Sequence, residues 1–470
     1  MWRSASTSQI TAQRIPDWPG GTEKPRIFCG GHAFMHDGKL FVAGGNLGQV
    51  VQPFRGLNYA YIFDPTIADE NTKWGYLGSP GSPNRMSAGR WYPTVTLLPD
   101  RRLLVMSGYI TESLPDPYNR TPEMWNPQTG QWIRRTAQQA KMPFDALYPG
   151  AHVVPRGQYQ GQVFYSMPML QSYVFDPNFD GNPNGSTYYW KAVPNTARSF
   201  FRDGGCSILL PIKLSPSTEA KVLILGGMQD DPAFGTAVAT NTAEIIDLGA
   251  ANPVWQSAAS MIMERTHANA IILPDGKILV TGGKQISFRE GAVTFAEMYD
   301  PDTNTWTLLP PSSYTRMYHS ASILLPDATV WVGGGDTLGG SPSSDFIEIY
   351  KPGYLFDPPD PQVRPNILSI STTQITYNSA FTIEVNYPVD SAILISLGAT
   401  SHAFDQSQRA IYLKLSSLPP NGTNPYSVTT PANANIAPPG YYLFFVLRPK
   451  SASQSGMNRI PSVANFLRLA

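Results

Sequence analysis

The sequence predicts an all-β chain, a β-propeller of repeated four-stranded units followed by a small antiparallel sandwich. Three observations carry this. Two apolar strands joined by a turn and closed by a glycine step recur between residues 30 and 335. Glycine and proline number 40 and 44, which favours frequent turns over long helices. Beyond residue 360 the period stops, and turn-bounded strands of another spacing continue to the C-terminus.

The repeat is read first, because a missed period misassigns the whole fold. One copy runs from His32 around the turn His36-Asp37-Gly38 to Gly44-Gly45. A second joins the run from Thr94 to that from Leu103 and ends at Gly108, and a degenerate third spans Ala151 to Tyr165. The fourth extends from Cys206 to Gly226-Gly227, the fifth from Ala270 to Gly282-Gly283, and the sixth from Ala321 to Gly333-Gly334-Gly335. Between them lie second hairpins. Asp64-Pro65 leads to Trp74, Asn126-Pro127 to Trp132, Asp176-Pro177 to Trp190, Asp247 to Trp255, and Asp300-Pro301 to Trp306. Proline presets φ in such turns and the preceding side chain caps them. Each tryptophan is expected in a fourth strand, packed against the neighbouring sheet. Two hairpins per unit, a glycine step and a spacing of about 50–60 residues are the kelch form of the β-propeller. Residues 1–28 are too short for a further four-stranded blade but can supply one outer strand. The expectation is seven blades with an incomplete first one, or six, since an open ring leaves an unpaired sheet edge.

The propeller is placed at residues 1–360. Residues 361–470 hold strand-like runs beginning at Phe381, Ala392, Ala410 and Gly440, a spacing that suits a small sandwich.

Charged residues make up only 14% of the chain, and 34 basic side chains balance 34 acidic ones without a long run of either sign. That argues against nucleic acid or an anionic membrane as partner. No apolar run reaches the roughly 18 residues of a membrane helix. The polar start Met1-Trp2-Arg3-Ser4 lacks the apolar centre of a signal peptide. Two cysteines, Cys29 and Cys206, permit at most one disulfide.

Four stretches carry side chains suited to chemistry: Phe28-Cys29-Gly30-Gly31, Arg90-Trp91-Tyr92-Pro93, Arg316-Met317-Tyr318-His319-Ser320, and Thr400-Ser401-His402 followed by Asp405, Gln406 and Arg409. A propeller sets the first strand of each blade around one axis. Cys29, Tyr92 and Tyr318-His319 each precede such a strand, so they converge at one mouth. If the sandwich presses the His402 loop against that mouth, two phenols and two imidazoles form a metal site. Such donors in a tetragonal set suit Cu(II) better than zinc or magnesium. No Cys-x-x-Cys or His-Glu-x-x-His is present to support structural zinc or a metallohydrolase. Each residue also has an ordinary reading: a buried thiol or a disulfide with Cys206 for Cys29, blade packing for Tyr92, a solvated loop for His402.

With these motifs in this order, the chain resembles the copper radical oxidases, the galactose oxidase and glyoxal oxidase family, over almost its whole length. The resemblance implies a C-terminal immunoglobulin-like (E-set) β-sandwich after the propeller, one Cu(II) ion and a thioether joining Cys29 to the Tyr92 ring. It implies that Tyr92, His319 and His402 bind copper equatorially and Tyr318 axially. Substrate oxidation removes two electrons and Cu(II) takes one, so the sulfur-substituted Tyr92, as a phenoxyl radical, takes the other. Tyr318 is then the base for the substrate hydroxyl proton, and dioxygen leaves as hydrogen peroxide. His32, His36, His152 and His267 match no ligand of the family and are expected to be structural or to support the ligands. Secretion is implied by the family, and a monomer is expected.

The chain departs from the galactose-oxidising branch. Ser107-Gly108-Tyr109-Ile110 stands where that branch has a tryptophan shielding the thioether, leaving Tyr109 or Trp91 to do so. Leu147-Tyr148-Pro149-Gly150 stands where a sugar-binding arginine is expected. Arg90-Trp91-Tyr92-Pro93 is more similar to the glyoxal oxidase side, which implies small aldehydes of the glyoxal or methylglyoxal type, or primary alcohols, as substrates with O2. The alternative is a non-catalytic kelch propeller that binds a protein partner or only copper.

Overall fold

A computed structural model of the chain describes residues 2–6, 25–47, 55–69, 72–77, 84–111, 113–179, 188–194, 201–214, 216–231, 236–285, 291–336, 346–356, 364–419, 422–449 and 459–470. Among them, six four-stranded antiparallel sheets follow one another, with inner strands Gly31–Phe34, Thr94–Leu97, Gly150–Val153, Cys206–Leu209, Asn269–Ile272 and Ser320–Leu324. Each inner strand packs on the next in chain order. The outermost strand of the sixth sheet is Trp2–Ser6, antiparallel to Phe346–Tyr350 from Trp2 opposite Tyr350 to Ser6 opposite Phe346. The propeller therefore has six blades. Of the two expected counts, seven or six, six is the one found, and the N-terminal stretch supplies one outer strand as expected: it covers the free edge of the sixth blade, where its backbone groups find partners, instead of starting a blade of its own.

Local chemistry explains the repeat. In the glycine steps, Gly44, Gly226 and Gly282 adopt φ of 75°, 60° and 64°. A Cβ on them would lie 2.3, 2.4 and 2.3 Å from the carbonyl oxygens of Arg90, Arg265 and Arg316 in the next blade. The following amides of Gly45, Gly227 and Gly283 donate to those same oxygens at 2.9, 2.9 and 2.7 Å. Only glycine allows both the conformation and the approach. The tryptophans reach the preceding blade as expected: Trp255 Nε1 donates to Ser172 Oγ at 3.0 Å, and Trp306 Nε1 to the Ala259 carbonyl at 2.7 Å.

A feature the sequence reading passed over repeats from blade to blade. Arg90, Arg202, Arg265 and Arg316 are fully buried, and each meets a glutamate from the third strand of its own blade: Glu123 at 2.9 Å, Glu244 at 2.9 Å, Glu297 at 2.5 Å and Glu348 at 3.1 Å.

The C-terminal sandwich is one wrapped sheet in the order Ile367–Ile370, Ala380–Val385, Asn424–Thr429, Ala410–Ser417, Ser391–Ser396, Gly440–Arg448, Asn465–Leu469 and Gln374–Ile375. Two of its strands are apolar on both faces. Ala392, Leu394, Phe444 and Val446 join Phe381 and Ile383 in the sandwich interior, whereas Ile393, Ile395, Leu443, Phe445 and Leu447 pack with Leu273, Leu324 and Val330 of the propeller. Each fully buried side chain of this kind contributes about 1.5–3 kcal/mol, so the second set fastens the domains into one body. The expected division between residues 360 and 361 lies outside the described residues. No helix among the described residues is long and apolar enough to cross a membrane.

Candidate metal centre

The amides of Met35, Leu98, Val154, Leu210, Leu273 and Leu325 occupy equivalent places, each closing the turn of an inner hairpin. Six residues before each of them, the chain turns left-handed: Cys29 (φ 59°), Tyr92 (67°), Tyr148 (45°), Gly204 (62°), His267 (55°) and His319 (65°). Such φ values are uncommon for side chains other than glycine, and their repetition marks a position imposed by the blade. Backbone bonds tie neighbours together: the Tyr92 amide donates to Cys29 O and the Tyr148 amide to Tyr92 O, both at 3.0 Å, and the His267 amide to Gly204 O at 2.6 Å. The sixth blade differs by one residue. Arg316 precedes Leu325 by nine positions, whereas Arg90, Arg202 and Arg265 precede Leu98, Leu210 and Leu273 by eight. The extra residue lets this blade send both Tyr318 and His319 to the axis.

His402 arrives from the sandwich. Thr400–Ser401 and Phe404–Asp405 form a two-residue hairpin whose turn, His402 (φ 49°) and Ala403 (φ 69°), has the positive angles of a type I′ turn. Asp405 Oδ1 accepts the amides of Ala399 at 2.8 Å and Ser407 at 3.1 Å, which holds the hairpin upright. The returning limb then bonds one blade after another. Gln406 Oε1 accepts from the amides of His32 (3.2 Å) and Val95 (2.8 Å), Ser407 Oγ from Phe34 (3.1 Å) and Gln408 Oε1 from Leu209 (2.7 Å), while Arg409 Nη2 donates to Val153 O (3.0 Å). Residue 406 bonds the middle of the first inner strand and residue 407 its end. The hairpin therefore runs up the propeller axis from inside and does not press on the mouth from without.

At its tip, one atom each from Cys29, His319 and His402 lies within 4.8 Å of the others. Cys29 Sγ is 3.8 Å from His402 Nε2, and the phenol oxygens of Tyr92 and Tyr318 are in direct contact. The thiol of Cys29 is within hydrogen-bonding reach of the Tyr92 phenol. His319 bonds Asp336 Oδ2 through Nδ1 at 3.0 Å, and His402 bonds Ser401 Oγ through Nδ1 at 2.7 Å. Both imidazoles thus keep Nε2 for the centre, and His319 Nε2 is buried with no hydrogen-bond partner. Ligating histidines are oriented in this way. An orphaned buried nitrogen facing a second imidazole and two phenols is a donor set that fits a copper ion.

Burial dominates the electrostatics. It pushes the Cys29 thiol up to about 12 and raises both Tyr92 and Tyr318 above the ordinary phenol value. It drives His402 well below the usual imidazole value, with His319, His267 and His32 adding to the effect. Without a cation, all of these groups are held neutral. A divalent ion would reverse that preference at the phenols.

Comparisons with known proteins agree with this geometry. A sequence profile described as the glyoxal oxidase N-terminus matches residues 22–341, and one described as the galactose oxidase-like, early set domain matches residues 364–467. The chain belongs to the glyoxal oxidase and galactose oxidase family of copper radical oxidases. Galactose oxidase of Gibberella zeae is 26% identical over 460 residues, covering 95% of this chain, which spans 61% of that protein's length. Aldehyde oxidase GLOX of Vitis pseudoreticulata is 25% identical over 489 residues, covering 94% of this chain and 82% of its own. A fungal alcohol oxidase solved in complex with copper shares the fold (TM-score 0.73, 23% identity, 95% of this chain and 86% of that one).

All five residues singled out from sequence, Cys29, Tyr92, Tyr318, His319 and His402, meet at one place. Cys206 stands apart as a free thiol, its Sγ 3.2 Å from Ala268 O, so no disulfide joins it to Cys29. Trp91 stacks directly on Tyr92 (4.1 Å between centroids, 21° between planes), with Tyr109 stacked behind it at 5.8 Å. The sequence reading missed Tyr148, which stacks on His402 at 4.6 Å, and Asp336, the partner of His319. It set His267 aside, yet that ring meets the Tyr318 ring edge-on at 4.9 Å. One signal would have found Tyr148 and His267: both stand in the same register as Cys29 and Tyr92.

Proposed function

We propose that this chain is a copper-dependent oxidase that uses O2 to oxidise small aldehydes, of the glyoxal or methylglyoxal type, or primary alcohols, with release of hydrogen peroxide. The observation that carries the proposal is the convergence of Cys29, Tyr92, Tyr318, His319 and His402 around a buried, unpartnered His319 Nε2. Tyr92, Tyr318, His319 and His402 would hold the metal. Bound there, copper would take up one of the two electrons lost by the substrate. Tyr92, joined to Cys29 by a thioether, would take up the other. Trp91 stacks on the Tyr92 ring and Tyr148 lies tilted beside it (4.9 Å), which covers the ring on those two sides. Tyr318 Oη is the acceptor for the substrate hydroxyl proton, and a nearby metal would favour the ionised form that this role needs.

Phe28, 44% exposed and 5.1 Å from the His319 ring, supplies an apolar wall beside the centre. Tyr148 fills the register place beside Tyr92, and its phenol donates to Gly30 O at 3.1 Å. This leaves no arginine there to grip a sugar and favours compact carbonyl substrates. Oxidation of an aldehyde hydrate consumes O2 and yields the acid and hydrogen peroxide; a primary alcohol yields the aldehyde and peroxide. A secreted monomer with its domain division near residue 360 completes the proposal.

The test is to add Cu(II) in air to the reduced protein and to map peptides around Cys29 and Tyr92. The expected result is a non-reducible pair of peptides lighter by two hydrogens, followed by peroxide release with glyoxal or methylglyoxal exceeding that with galactose. A copper-loaded protein whose Cys29 remains alkylatable would reduce the chain to a metal-binding propeller.

A further inference from the structure

The propeller and the sandwich line a partly open pocket of about 60 Å³ at the foot of the hairpin, near the ends of the inner strands. Phe34, Pro439 and Tyr441 form apolar walls, Gln406 and Arg409 lie on the polar side with His152 and Ser407, and no aspartate or glutamate among the described residues lines it. Arg409 is 5% exposed. Its Nη2 donates to Val153 O, but its Nη1 is buried with no hydrogen-bond partner. Gln406, also 5% exposed, commits Oε1 to two backbone amides, so its Nε2 is fixed as a donor, and that nitrogen too is buried without a partner.

The other buried arginines show what is missing. Arg90, Arg202, Arg265 and Arg316 each meet a glutamate. Arg409 meets none, and burial draws its pKa down to about 10, with only the Tyr442 phenol opposing. A buried cation without a counter-charge is costly, and two unpartnered N–H donors on residues that line a space with no carboxylate describe the complement of an anion. One water needs about 10–15 Å³, so the pocket admits a halide and a companion water.

We propose that this cavity binds a small inorganic anion of halide size, held by Arg409 Nη1 and Gln406 Nε2. The anion neutralises the arginine at the base of the hairpin that carries His402 and so fastens the sandwich to the propeller. It is independent of the substrate and lies apart from the metal centre.

Crystals of the copper-loaded protein grown in sodium bromide, measured at the bromine absorption edge, test this directly. The expected result is an anomalous peak within hydrogen-bonding distance of Arg409 Nη1 and Gln406 Nε2. Ordered water with no anomalous signal in saturating bromide would overturn it. In solution, the thermal midpoint should rise with sodium bromide and saturate as for a single site, relative to sodium gluconate at equal ionic strength. Arg409→Met should abolish that difference, and an undiminished bromide response in the variant would also overturn the proposal. If that variant does not fold, the diffraction measurement on the unaltered protein decides alone.

Discussion

Arg90 and Tyr92, two residues apart in the second blade, belong to two repeat positions that behave oppositely. The first recurs as Arg90, Arg202, Arg265 and Arg316, always buried and always against a glutamate. The second holds Cys29, Tyr92, Tyr148, Gly204, His267 and His319, united only by a left-handed backbone. The arginine is satisfied within its own blade, so every blade that uses this device needs the same residues. The left-handed residue faces an axis shared by all the blades. There, each side chain is complemented by its neighbours, and Gly204 makes room for His267: a Cβ would lie 2.5 Å from that ring. Repetition supplies the buried ion pairs at one position, and its absence supplies the candidate metal centre at the other.

Substitutions at the two positions should separate these roles. The largest effect is expected at the axis. Tyr318→Phe should lower kcat by about 10²–10⁴-fold while copper remains bound, because the proposed general base is lost. Steady-state peroxide release with parallel metal analysis checks this, and an unchanged kcat would remove Tyr318 from the mechanism. At the arginine position, Arg265→Met leaves Glu297 buried with only the amides of Ile262 and Met263 as partners. Stability should fall by about 3–5 kcal/mol, seen in denaturant unfolding, with turnover per folded, copper-loaded molecule retained.

A smaller effect is expected one step behind the metal. Asp336→Asn weakens the orienting bond to His319 and should reduce copper affinity by about 10–100-fold, measured by competition with a chelator. The smallest effect concerns pH. His267 is held near a pKa of about 3, mainly by desolvation and then by Lys284 and His319. Its folded pKa is depressed, so its contribution to stability is present above the unfolded value near 6.5 and declines as pH falls toward 3. Between pH 7 and pH 5.5 the metal-free protein should lose about 1 kcal/mol from this group. His267→Gln should remove that part of the slope, as read from unfolding curves at the two pH values.

Much of this architecture is legible in the chain because it rests on local forces. Apolar alternation and Asp-Pro turns act within a few residues and locate the hairpins, and the glycine steps and tryptophans mark them by recurring at fixed places although their contacts reach the adjoining blade. The Arg–Glu pairs are periodic too, but partners 32 to 42 residues apart with 14% charged residues overall are easily read as surface charge. Asp336, 17 residues from His319, offers no motif at all.

By itself, the sequence determined which hairpins form, that a propeller is followed by a sandwich, and which side chains stand as candidates for redox and metal chemistry. Tertiary structure decided the rest: six blades and not seven, His402 reaching the axis from inside, Trp91 and not Tyr109 lying on Tyr92. The reason is range. Hydrogen bonding and turn preference act between near neighbours, whereas Cys29 meets His402 across 373 residues and Tyr92 meets Tyr318 across 226. Such meetings exist only once the inner strands surround an axis and the sandwich has threaded its hairpin through it.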